Sequence, residues 1–157
     1  LDVISLALVT RYIPEVLGRP ERINGAPLLE GVINHLFRHR RFDDLHSYMQ
    51  KIGPGYFDES SLIARLQYSL ALKSLGCFDE ASAIWRSATG ADDDPVVIRH
   101  LLELAKHQEH REKDPESARE TVGLILQLDL TDRQRNDMIH RQKRLNRKLT
   151  AKLSKSL

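Results

Sequence analysis

Cysteine occurs once in this sequence, at Cys77. No internal disulfide is therefore possible, and a reducing, cytoplasmic setting is expected. Cys77 has no base near it in sequence, which argues against a nucleophilic thiol. Long apolar runs are missing: none approaches the ~18 residues that a membrane span needs, so no membrane partner is expected. The first nine residues lack the basic n-region and cleavage site of a secretory signal. Clustered metal ligands are missing as well. His35 and His39 stand four apart and His107 and His110 three apart, a spacing that can present two imidazoles to one ion. Glu103 lies one turn from His107, but no cysteine or carboxylate cluster completes either pair. Both read as solvated helix faces, with no metal site and no cofactor expected in this chain.

What is present is a globular composition, 41% hydrophobic and 29% charged over 157 residues, enough for one domain or one array of repeats with a sizeable core. The chain opens on Leu rather than Met, so it is expected to be a portion of something longer. Its net charge of +2 is unevenly spread. Residues 131–157 carry nine Lys or Arg against two Asp, a net of +7, which leaves −5 for residues 1–130. An acidic body thus carries a basic end.

The apolar residues recur at the helical period throughout. A first helix is expected over 1–17, on Val3, Leu6 and Ala7, with Pro14 kinking or ending it. Three helical hairpins are then expected over 26–52, 59–89 and 95–128. The first buries Leu29, Val32, Ile33 and Leu36, then Leu45, Tyr48, Met49 and Ile52. The second has its apolar positions at Leu62, Leu66, Ser69 or Leu70, Leu72 and Leu75, turns at Gly76, and buries Ala81, Ile84, Trp85 and Ala88 in its second helix. Asp79 is placed to cap its second helix. Asp94-Pro95 and Asp114-Pro115 pair a cap residue with a proline in the first helical position, and so start the two helices of the third hairpin. A basic capping helix over 131–157 opens on Thr131 and Gln134, a capping-box pair, with Ile139, Leu145, Leu149 and Leu153 as its stripe.

Three segments align at the start of each second helix: RRFDDL from Arg40, GCFDEA from Gly76 and KDPESA from Lys113, separated by 36 and 37 residues. That period belongs to helix–turn–helix solenoids. In the second unit Tyr68, Leu72, Gly76, Phe78, Ala81, Trp85 and Ala88 fall at the signature spacings of tetratricopeptide repeats, which this unit resembles. Ser69 stands where the family has a small Gly, and Leu45 departs from the Ala of the other two units. The expected fold is all-α, a TPR-like α/α superhelix of three helical hairpins between N- and C-terminal helices.

Two stretches carry a narrower resemblance. Residues 101–118, LLELAKHQEHREKDPESA, resemble the last repeat of bacterial proteins that join an RNase H-like 3′–5′ exonuclease domain of the DEDD type to C-terminal tetratricopeptide-like repeats. LDVISLALV at the start is similar to the closing helix of that nuclease domain. The resemblance implies that Asp2 is the last metal-binding carboxylate of a longer parent and that a divalent metal belongs to that parent alone. The other carboxylates of such a site are not in this sequence. Two-metal cleavage needs several of them, so this chain is expected to be non-catalytic. Taken without the resemblance, Asp2 is an acidic residue near a helix N-terminus, which the helix dipole favours.

Partner-binding candidates follow from the repeat reading, in which first helices line a concave face. They are Asn34, Arg38, Lys73, His100, Glu103, His107, His110 and Arg111, and a protein partner is expected there. Asn34 stands without the Lys/Asn set that clamps peptide C-termini, so such a terminus is not the expected ligand. Nucleic-acid candidates are Arg141, Lys143, Arg144, Arg147 and Lys148, which surround the leucine stripe of the last helix. Two readings of this helix stay open. It contacts phosphates, or it packs its leucines on the third hairpin and its bases on the acidic body; a third, a basic helix lying on a membrane surface, is disfavoured by the short apolar stripe. Arg38 to Arg41, between Phe37 and Phe42, mixes bases with aromatics but also ends a helix, where the dipole favours cations.

Overall fold

Three bends in the chain share one backbone feature. In the computed structural model, which describes residues 25–52, 57–88 and 94–154, Arg40, Gly76 and Lys113 all have left-handed backbones, with φ of 55°, 84° and 54°. These are the first residues of the three aligned segments. Helices precede and follow each bend: α1 (Ala26–Arg38) and α2 (Phe42–Lys51), α3 (Leu62–Leu75) and α4 (Phe78–Ser87), α5 (Pro95–His110) and α6 (Pro115–Gln127). A last helix, α7, runs from Asp132 to Leu153. All regular structure among the described residues is helical, so the all-α expectation is met. The helix expected over 1–17, with Asp2, lies outside the described residues.

The bends have a common cause. At Gly76 the Cys77 amide donates to the Leu72 carbonyl (2.9 Å) and the Gly76 amide to the Lys73 carbonyl (3.2 Å), a Schellman ending that satisfies orphan carbonyls. The first bend repeats it with Arg41 to Leu36 (2.9 Å) and Arg40 to Phe37 (3.0 Å). The third is one residue longer: the Asp114 amide reaches back to Gln108 (2.9 Å). Each following helix starts two residues after the left-handed position.

The chain divides into two compact units, Leu1–Cys77 and Phe78–Leu157. The boundary falls in the Gly76–Cys77 turn, so the helices of the second expected hairpin belong to different units. In the first unit α1, α2 and α3 pack on one another. Leu29, Ile33, Leu36, Leu45 and Leu72 are fully buried. The Ser61 hydroxyl caps α3 by accepting from the Ala64 amide (3.3 Å), while the Ser61 amide donates to Glu30 (2.7 Å). Gln67 donates to Asn34 (3.2 Å), and the hydroxyl of Tyr68 meets His46 Nδ1 at 3.1 Å. Ile52, Leu62 and Leu75, expected on apolar faces, are only half-buried, because each sits at a helix end.

In the second unit α4 packs on α5, α5 on α6 and α6 on α7. Trp85, Val97, Ala105, Ala118, Val122, Ile125 and Leu145 make its core. Burying a tryptophan in this way is worth about 3–5 kcal/mol against alanine. The caps are those expected at three helices. Asp94 accepts from the Val96 amide, Asp114 from the Glu116 and Ser117 amides, and Thr131 and Gln134 exchange hydrogen bonds as a capping box. Asp79 is not an N-cap: α4 begins at Phe78, which leaves Asp79 in the first turn beside the positive helix end. In α7 the buried residue of the second turn is Met138, with Ile139 only half-buried.

Candidate functional site: a buried carboxylate held by three cations

The apolar stripe of α5 steps through Leu101 and Ala105 at intervals of four, and the next step is Glu109. Its side chain is therefore carried inward and is 0% exposed. A buried carboxylate is costly unless paired, and this one sits in the last turn of a helix, where the dipole adds negative charge. α7 supplies the answer. Arg141, Arg144 and Lys148, at intervals of three and four, lie on one face of that helix and close on Glu109. Arg144 grips both oxygens, Nε to Oε1 at 3.0 Å and Nη2 to Oε2 at 2.6 Å. Arg141 Nη1 donates to Oε2 (2.9 Å) and Lys148 Nζ to Oε1 (2.7 Å). Burial would push the Glu109 carboxyl up; the hydrogen bonds and charges of Arg144 and Lys148 outweigh it and hold the group at about 2, below its ordinary 4.5. His110 Nε2 lies 3.7 Å from the same carboxylate.

Three cations thus serve one anion. Arg144 and Lys148 are 48% and 45% exposed, while Arg141 is 16% exposed. Lys143 and Arg147 are exposed on the same helix and form no ion pair among the described residues. An open cleft of about 330 Å³ adjoins the cluster, lined by Leu102, Lys106, Met138, His140, Arg141 and Arg144. Asp137 is its one carboxylate, and Lys106 Nζ pairs with Glu103 (2.6 Å).

The remaining sequence candidates are scattered. His100 is fully buried and His107 is 7% exposed, so neither stands on a surface that a partner can reach. This corrects the expectation of a shared exposed face on α5: the apolar stripe of that helix is wide enough to include them. His107 is wedged between the rings of Phe78 and Trp85, with centroids at 6.3 and 5.9 Å. Its Nε2 meets Glu112 (3.2 Å), which Arg86 also holds. Arg111 lies over the Phe78 ring, 4.0 Å from its centroid. His110, Glu103, Arg38 and Lys73 keep exposed or partly exposed positions, and Asn34 is half-buried against Gln67. The His35 and His39 rings lie 4.5 Å apart, and burial, then the charges of His39 and Arg41, lower the His35 pKa. On α2 burial pushes the Tyr48 phenol up to about 12, and its hydroxyl has no hydrogen-bond partner among the described residues. No helix among the described residues is long and apolar enough to cross a membrane. No protein-family model matches the chain, and neither the curated proteins nor the solved structures contain a match.

Proposed function

We propose that this chain is a non-catalytic helical-repeat interaction module of TPR-like type. We assign it as the C-terminal part of a bacterial RNase H-like 3′–5′ exonuclease, serving to place that enzyme on a partner. The observation that carries the repeat reading is the left-handed bend returning at Arg40, Gly76 and Lys113, with the next helix starting two residues later each time. A left-handed residue at the same place before each second helix, at intervals of 36 and 37 residues, is what a structural unit used three times would give, and it supports that reading. The nuclease link rests on the resemblance of residues 101–118 and of the first nine residues. It is tested by the coding sequence upstream of Leu1: carboxylates in nuclease spacing support it, and a start codon with none removes it. A free-standing adaptor is the second reading, favoured by the exposed polar side chains of Arg38, Lys73 and His110 on first helices. Crosslinking in cells that recovers a protein partner, with no nuclease domain upstream, selects that reading.

A further inference from the structure

We propose that the solvent-facing rim of the Glu109 cluster binds the phosphate backbone of a single nucleic-acid strand, with Glu109 as the positioning residue for Arg141, Arg144 and Lys148. The inference goes beyond the module reading and does not need the nuclease link. Glu109 consumes four donor contacts from three cations, and being wholly buried it is inaccessible to a ligand. The cations are not. Arg144 and Lys148 are nearly half-exposed and Arg141 is 16% exposed, so the buried carboxylate fixes them while part of their positive charge stays open to water. A fixed guanidinium loses less freedom on meeting phosphate than a free one, and its planar fork matches phosphate oxygens. The stripe from Arg141 to Lys148 runs for about 10 Å of helix axis, more than one phosphate spans. The adjoining cleft has an apolar wall of Leu102 and Met138, a surface that a base face can use and a carboxylate side chain cannot. Asp137, one turn before Arg141 on the same helix, also lines the cleft, so an anion is disfavoured beside it and favoured toward Arg144 and Lys148. These features favour a nucleic-acid strand over an acidic peptide.

The test is fluorescence anisotropy of a short labelled oligodeoxythymidine with the full chain, between about 50 and about 200 mM salt. Contact with about three phosphates predicts a slope near −2 in log affinity against log salt, a loss of roughly tenfold or more across that range. Arg144→Ala is expected to weaken binding about fivefold and to flatten the slope by about 0.7. Arg144→Lys keeps the charge and loses the fork, so it weakens affinity without changing the slope. Glu109→Gln separates positioning from bulk charge. If charge alone mattered, deleting a negative group would tighten binding; positioning predicts that it loosens, with helical content checked by circular dichroism. Tighter binding by folded Glu109→Gln, affinity unmoved by Arg144→Ala, or equal binding of polyglutamate or anionic vesicles each overturns the proposal. An upstream frame without nuclease carboxylates removes the nuclease link and leaves this result standing.

Discussion

Replacing Glu109 with Gln is expected to destabilise the Phe78–Leu157 unit by about 2–3 kcal/mol near neutral pH. The carboxyl is held at about 2 against an ordinary 4.5. A pKa difference of about 2.5 corresponds to about 3 kcal/mol of preference for the charged form in the folded state. Arg144 and Lys148 are nearly half-exposed, and water and salt screen them, which brings the figure toward about 2 kcal/mol. Gln leaves three cations facing one another with no anion, so the loss is not recovered elsewhere. Trp85, the only tryptophan, is buried in the same unit and reports its unfolding in urea. The midpoint should fall while the slope stays constant. The pH dependence is the sharper test. A carboxyl whose folded pKa is depressed contributes stability above its unfolded value of 4.5, and that stability is lost as the pH falls through the folded value of about 2. The gap between wild type and Glu109→Gln should be full at about pH 6 and mostly gone by about pH 3, where about 2 of the about 3 kcal/mol has been lost. A gap that stays constant over that range would refute the electrostatic account and leave Glu109 as a packing residue.

Three further outcomes are expected. Gly76→Ala should cost about 1 kcal/mol although open space surrounds the site, because only the left-handed backbone resists a Cβ there; urea titration followed by circular dichroism checks it. Arg40→Gly and Lys113→Gly, at the equivalent bends, should each stabilise by up to about 0.5–1 kcal/mol in the same assay, the relief of strain being partly offset by a freer unfolded chain. Thr131→Ala removes the capping box of α7 and should cost about 1 kcal/mol, seen as a lower thermal midpoint.

Periodicity made most of the helices legible. Leu29, Val32, Ile33 and Leu36 repeat at helical intervals, and all four are buried. Asp94-Pro95, Asp114-Pro115 and Thr131 with Gln134 announce their caps because capping is local chemistry, decided within three residues. The alignment of Arg40, Gly76 and Lys113 was legible for a similar reason: a bend before a second helix leaves its mark in the residues that follow. The Glu109 cluster was harder to read. Its two halves are over thirty residues apart, and an acidic residue on a helix reads by itself as solvated. The signal was present in the step of four from Ala105, which carries the apolar face on to Glu109, and in the matching intervals of Arg141, Arg144 and Lys148. His100 and His107 show the reverse case, in which polarity pointed outward and a wide buried stripe drew them in.

The third bend has a consequence for how the chain tolerates insertions and deletions. Its closing hydrogen bond spans one residue more than those of the other two, yet α6 begins at the same offset from its left-handed position as α2 and α4 do. The surplus residue is absorbed in the coil between His110 and Lys113, so neither neighbouring helix is rotated. Removing a residue there should therefore leave both apolar faces aimed at their neighbours. Removing one inside α5 would swing everything beyond it by about 100° and carry Glu109 out of reach of the helix that holds it.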